Sequence, residues 1–192
     1  MITDAANKSL FAGTATIPLA VQPQVTMVTS MGTMVLELNP AKAPITVDNF
    51  LNYAESGFYV NKIFHRVIKS TSFSMIQGGG FTADMVQAPT QPAIKLEATN
   101  GLSNIRGSIA MARLGTPVDS ATSQFFINSV NNTGFDATPT NAGYAVFGQI
   151  VTGLDVLDKI QVVATGTRLV GTTPVTDIPT TNILISSMLQ TK

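Results

Sequence analysis

Val25-Thr26-Met27-Val28-Thr29-Ser30 and Gly32-Thr33-Met34-Val35-Leu36-Glu37-Leu38 alternate apolar and polar side chains on either side of Met31. Period-two alternation suits a half-buried strand, whose successive side chains point to opposite faces. The link Ser30-Met31-Gly32 therefore predicts a β-hairpin. Outward from it, short apolar runs recur at residues 63–68, 108–112, 124–127, 145–150 and 183–188, split by Gly, Pro, Asn and Thr. Two segments have helical punctuation instead. In residues 43–57, Pro44 suits a first turn and Gly57 the residue past the end, while Val47, Phe50, Leu51 and Ala54 fall on one face. Residues 154–160 follow Gly153 and read as a second, shorter helix. Many short strands with two helices predict a closed or sandwiched antiparallel sheet with helices at its ends.

The 192 residues are 44% hydrophobic, which suffices for one domain with a proper core. Lys+Arg and Asp+Glu number 11 each, so charged residues are 11% where ~25% is usual. Twenty-five Thr and 13 Ser supply the missing polarity, and Thr favours strands. A neutral chain with four Arg lacks the footprint of a nucleic-acid binder. No apolar run is long enough to predict membrane insertion by a helix. Zero Cys excludes disulfides, thiol catalysis and the usual structural zinc sites, and one His excludes a multi-His metal centre within the chain. Residues 1–24 are polar and aperiodic, without the basic start and apolar core of a secretory signal, and read as an extended or flexible arm before a domain at 25–192.

Chemistry concentrates in a few segments. Arg66 lies in an apolar strand whose next residue, Val67, points to the opposite face; alone it reads as an ordinary solvated arginine. Gln77 precedes three glycines and Gln124 precedes two phenylalanines, amides suited to hydrogen-bonding a peptide backbone, though each alone reads as a turn residue beside core aromatics. Gly78-Gly79-Gly80 lacks the Gly-Lys-Ser/Thr of a phosphate loop, so close backbone packing is the better reading. His65 with a Ser and an Asp would make a hydrolase triad, but no Gly-x-Ser-x-Gly elbow is present.

Taken together, Phe64-His65-Arg66-Val67-Ile68, Gln77-Gly78-Gly79-Gly80-Phe81, Met111-Ala112 and Ser123-Gln124-Phe125-Phe126-Ile127 resemble a cyclophilin, a peptidyl-prolyl cis–trans isomerase. The resemblance runs from about Val25 to Leu189, and Ala110-Met111-Ala112-Arg113 with Gly143-Tyr144-Ala145-Val146-Phe147-Gly148 is similar to the bacterial branch. It implies a mainly β fold: an eight-stranded antiparallel closed barrel capped by two α-helices. It implies Arg66 as the catalytic residue, and Phe73, Met75, Gln77, Ala112, Arg113, Gln124, Phe126, Phe135 and Tyr144 as substrate-binding. Phe135 stands where many eukaryotic members have tryptophan, which implies weak cyclosporin binding, and Tyr144 stands where they have histidine. No cofactor and no metal are implied. The expected partners are proline-containing unfolded or flexible polypeptides, the expected state a monomer, and the alternative function a peptide-binding chaperone module of the same fold with little turnover.

The chain departs from the family pattern in the link from Lys69 to Ser74, about three residues longer than usual, which puts Ser74 where the pocket phenylalanine is expected and Phe73 one position earlier. Phe135 is followed by Asp136, where the family places a pocket leucine, and the loop to Tyr144 is about one residue short. The low charge, the Thr-rich composition and the likeness to exported bacterial members lead to an expectation of a periplasmic location, with cytoplasmic as the alternative.

Overall fold

A computed structural model describes residues 22–170 and 172–192. The expected hairpin is β1 (Gln24–Thr29) and β2 (Gly32–Leu38), paired from Gln24↔Glu37 to Thr29↔Gly32. Val25 and Met27 of β1, and Met34, Leu36 and Leu38 of β2, are fully buried. Gln24 thus belongs to the barrel, one residue ahead of the expected domain start; the arm expected over 1–24 lies, for residues 1–21, outside the described residues.

Helix α1 (Pro44–Glu55) buries Val47, Phe50, Tyr53 and Ala54. Its N-cap, Ala43, offers no side-chain acceptor. Glu97, far along the chain, does so instead, accepting from the backbone N–H of Ile45 (3.2 Å) and Thr46 (2.8 Å). A carboxylate at this end also complements the helix dipole. Strands β3 (Lys62–Lys69), β4 (Ser74–Thr82), β5 (Ser108–Met111), β6 (Phe125–Asn128) and β7 (Val146–Thr152) follow. Then come helix α2 (Leu154–Gln161), β8 (Thr165–Val170), β9 (Thr173–Pro179) and β10 (Ile183–Gln190). A 3₁₀ turn spans Thr133–Phe135.

Eight strands close a barrel in the order β1-β10-β3-β4-β6-β5-β7-β2, every pairing antiparallel. Closure removes the exposed sheet edges that would pair with other chains. The interior centres on Phe50, Tyr59, Phe64, Phe125 and Phe147, with Phe50 5.0 Å from Phe147 and 5.6 Å edge-on to Phe125. α2 enters at Gly153, whose φ is +92° and where a Cβ would lie 2.3 Å from the Thr33 carbonyl oxygen. Only glycine lets the chain turn this close to β2.

Two features go beyond the sequence expectation. β4 continues through the three glycines with a register shift against β3 between Gly78 and Thr82, and the packing there is close: a Cβ on Gly79 would meet Phe125 at 2.8 Å and Tyr59 at 2.9 Å. β8 and β9 form a separate two-stranded hairpin outside the barrel, packed against β3 through the cluster Ile63, Met85 and Ile178.

Candidate active site

Barrel strands have two faces, and the register assigns each residue to one. Arg66 pairs with Gln77, Gln77 with Phe126, and Phe126 with Ala110, so one cross-strand row runs over β3, β4, β6 and β5. Directly opposed residues share a face. The neighbours in sequence, Val67, Ile76, Phe125 and Ile109, belong to the interior cluster, so the row faces outward. Ile68, Met75, Ala110, Phe126 and Val146 form a second apolar cluster on this outer face, with Phe73, Leu102, Ala112, Phe135 and Tyr144 packed against it.

The aromatic members build a cage. Phe126, 2% exposed, meets the edges of Phe135 (5.9 Å) and Tyr144 (5.5 Å), and Phe135 lies 5.4 Å from Tyr144 and 5.3 Å from Phe73. Phe73 therefore does take the place expected one residue later. The pair Lys69↔Ser74 reduces the lengthened link to a four-residue turn, in which Ser70 N–H donates to the Phe73 carbonyl (3.1 Å). Asn132, 3% exposed, then grips Ser74 from both sides: its Oδ1 accepts from Ser74 N–H (3.2 Å) and its Nδ2 donates to the Ser74 carbonyl (2.9 Å).

Asp136 does not stand in the cage wall. Its carboxylate turns to the opposite loop and accepts from Ser103 Oγ, from Asn104 N–H (2.7 Å) and from Asn104 Nδ2 (2.8 Å). Burial pushes this carboxyl up, but the three hydrogen bonds outweigh it and hold the group below its ordinary value. The segment it fixes follows Leu102, which supplies apolar packing to the outer cluster. Asn104, Asn128, Ser108 and Asn132 continue this buried network, with Asn132 Nδ2 donating to Asn128 Oδ1 (2.7 Å) and Asn128 Nδ2 to Ser108 Oγ (2.9 Å).

The other half of the groove is polar. Gln77 Nε2 donates to Gln124 Oε1 (2.9 Å), leaving Gln77 Oε1 to accept and Gln124 Nε2 to donate elsewhere. Gln124 lies over Gly80, where a Cβ would come within 2.5 Å of its Cγ, so the last glycine of the run seats the second glutamine. Beyond the glutamines is a cavity of about 320 Å³ bordered by Gln87, Thr90, Ala112, Arg113, Leu114 and Thr122. Ala112 N–H is taken up by the Gln124 carbonyl (2.9 Å). The Arg113 side chain holds the cage rather than reaching across the groove: Nε donates to the Gly143 carbonyl (2.8 Å) and the guanidinium lies 4.9 Å from the Tyr144 ring centre.

Arg66 is 39% exposed at its side chain and faces Asp177 of the outer hairpin. His65 sits at a β-bulge, because Phe64 pairs with Gly78 and Arg66 with Gln77. It is 5% exposed, packs 4.7 Å from the Phe81 ring, and its Nδ1 has no hydrogen-bond partner. Burial, reinforced by the neighbouring Arg66 charge, lowers its pKa to about 4. A neutral histidine without a carboxylate on Nδ1 assembles no triad. Sequence reasoning missed three groups that shape this site: Leu102, Asn132 and Asp177. None carries a motif, and each is brought in by a loop or hairpin whose path the local sequence does not reveal.

Residues 24–189 match the family model described as cyclophilin type peptidyl-prolyl cis-trans isomerase/CLD. The chain is 49% identical to peptidyl-prolyl cis-trans isomerase A of Dickeya dadantii, over 85% of this chain and 82% of that one. It is 47% identical to peptidyl-prolyl cis-trans isomerase B of Escherichia coli, over 85% and 97%. A crystal structure of a cyclophilin-type isomerase of Cryptosporidium parvum, obtained in the presence of the dipeptide Ala-Pro, superposes with a TM-score of 0.69 at 25% identity, covering 88% of this chain and 99% of that one.

Proposed function

The chain belongs to the cyclophilin-type peptidyl-prolyl cis–trans isomerase family and is an isomerase of X-Pro peptide bonds; we propose that Arg66 is the residue that lowers the barrier. Rotation about the imide bond costs ~18–20 kcal/mol because it breaks amide resonance. As the bond twists, the nitrogen lone pair localises and becomes an acceptor that the planar ground state lacks. A guanidinium donating to that nitrogen binds the transition state better than the substrate, which is the condition for acceleration. No covalent bond changes, and no general acid or base takes part.

One donor is not enough. A charge-assisted hydrogen bond contributes roughly 1.5–3 kcal/mol, whereas a ~10⁵-fold acceleration needs about 7 kcal/mol. The remainder comes from immobilising the two sides of the bond separately. Phe73, Met75, Phe126, Phe135 and Tyr144 enclose the proline ring, with Ala112 at the border. Gln77, Gln124 and the backbone at Arg113 hold the preceding peptide. The single observation that carries this reading is the outward row Arg66–Gln77–Phe126, which sets a half-exposed cation, a backbone-binding amide and the floor of an apolar cage on adjacent strands.

The ligands are proline-containing peptides; within that class we propose unfolded or flexible polypeptides, because a shallow groove over the barrel wall admits an extended segment and not a folded domain. A monomer suffices, since every group named comes from one chain. A periplasmic location is proposed from the charge-poor, Thr-rich composition, and cell fractionation tests it. The function is tested by NMR exchange or a protease-coupled assay on an Ala-Pro peptide, wild type beside Arg66→Ala. Fast exchange with wild type and exchange slowed roughly 10- to 150-fold in the variant, as the loss of 1.5–3 kcal/mol implies, support the assignment. Uncatalysed rates with both would favour the peptide-binding module.

A further inference from the structure

Asp177 has a φ of +63°, in the left-handed region that residues with a Cβ seldom occupy. The register of the outer hairpin slips at this point. Gly166 pairs with Ile178 and Arg168 with Val175, so Thr176 and Asp177 stand opposite the single residue Thr167. This is a β-bulge, a device that bends a strand and re-aims a side chain. Here the carboxylate is aimed at Arg66, with Oδ2 3.7 Å from Nη2. Thr176 Oγ1 donates to the same Oδ2 at 3.0 Å. Among the described residues no other carboxylate lies within 4 Å of this guanidinium.

The bulge is anchored. Ile178, 1% exposed, packs with Ile63 and Met85 on the barrel. At the base of the hairpin Thr180 N–H donates to the Ala164 carbonyl (2.9 Å), and Asn182 Nδ2 to the Ala83 carbonyl (3.1 Å). Pro174, Val175 and Thr176, with Arg66 and Gln77, border a cavity of about 380 Å³ beside the row of site residues. The hairpin therefore forms one wall of the space in which the Arg66 guanidinium stands.

The geometry points to Asp177 as a positioning residue for Arg66, an inference that rests on Arg66 being catalytic. An arginine side chain loses rotamer freedom when held in one pose, and a fixed carboxylate beside it biases the guanidinium toward the groove before substrate arrives. The separation of 3.7 Å is longer than the 2.7–2.9 Å of a tight charged hydrogen bond. Arg66 is thus oriented while its donors stay available to the prolyl nitrogen. The pair is partly exposed, and such pairs are weak, so the bias is severalfold and not of many decades.

The test is steady-state isomerisation of an Ala-Pro peptide by Asp177→Asn and Asp177→Gly, each alone and with Arg66→Ala. Asn and Gly both tolerate the left-handed backbone, so both keep the bulge and remove the charge. The expected result is a three- to tenfold lower kcat with KM unchanged in each single variant. Added to Arg66→Ala, neither changes the residual rate, and the NMR order parameter of the Arg66 Nε–H falls in Asp177→Asn. Wild-type kcat in both variants, a gain in kcat, or the same loss in the Arg66→Ala background would overturn the proposal. Full turnover by Arg66→Ala would overturn the catalytic assignment and this inference with it, whereas a slowed Arg66→Ala beside a fully active Asp177→Asn would overturn only the inference.

Discussion

Phe126 and Arg66 stand two strands apart in one cross-strand row, yet Phe126 is 2% exposed whereas the Arg66 side chain is 39% exposed. The aromatic half of the groove is a second apolar core on the outside of the barrel, and under the proposed function it is also the binding cage. Under that proposal the polar half carries the chemistry, with little of the packing. A ligand pocket that doubles as core is rigid without its ligand, so the proline ring meets a preformed site. A charge outside the core, beside Asp177, stays hydrated and keeps its donors available to a rotating bond. The division predicts that damage to one half costs stability and turnover together, and damage to the other costs turnover alone.

The largest expected effect tests the first half of that statement. Phe126→Ala removes a buried ring from the outer cluster and is expected to cost about 3–5 kcal/mol in urea unfolding, with loss of turnover. A stable Phe126→Ala that only binds peptide more weakly would break the comparison. Arg66→Ala tests the second half. Losing one charged donor lowers kcat/KM roughly 10- to 150-fold, as 1.5–3 kcal/mol implies, while the unfolding midpoint stays at the wild-type value. Arg66→Lys is also expected to be poor, because an ammonium lacks the planar fork.

Asn132 sharpens the boundary between the halves, since its side chain hydrogen-bonds to Ser74 and Asn128 and to neither Arg66 nor a cage side chain. Asn132→Ala removes the side-chain acceptor of the Ser74 N–H and a donor to Asn128 Oδ1, and leaves the Ser74 carbonyl with the Ser129 N–H alone. The expected cost is about 1–3 kcal/mol of stability, with KM rising severalfold as Phe73 loosens and kcat changing less. An unchanged KM would detach the 70–73 turn from the cage.

The smallest effect on turnover is that of His65, which is none. Its folded pKa of about 4 lies below the ordinary 6.5, so the unfolded chain binds the proton first as pH falls. Stability is then fully present above pH 6.5, declines as pH drops from 6.5 to about 4, and levels off below that. Turnover is expected to be flat across pH 6.5, and an NMR titration of the imidazole should show no inflection there. An inflection in kcat near 6.5 that disappears in His65→Gln would return His65 to the mechanism.

The two halves also differ in how far they are legible in the sequence. Arg66, Gln77, Gln124 and Phe126 are on strands or beside their ends, where period-two alternation sorts side chains and register aligns them. The geometry therefore brings these four together in one cross-strand neighbourhood. Phe73, Phe135 and Tyr144 are delivered by turns, and what holds those turns is a network of Asn and Asp side chains from distant segments. From the sequence, Asp136 looks like a damaged pocket wall. In the fold it is a clamp on the loop that follows Leu102, because three donors wait for it across the gap. The β8–β9 hairpin was illegible for another reason. Its strands are largely exposed along their length, so no alternation marks them, and the bulge at Asp177 leaves no trace in residue type.

The cross-strand row has a further consequence, one of length. Four adjacent strands at ~4.8 Å spacing place Arg66 and Ala110 about 14 Å apart along the row, and an extended chain covers that distance in about four residues at ~3.3 Å each. The groove is therefore a ruler as well as a catalyst. Under the proposed function it spans one short stretch around the proline, so a single fold would serve clients that share an accessible X-Pro step.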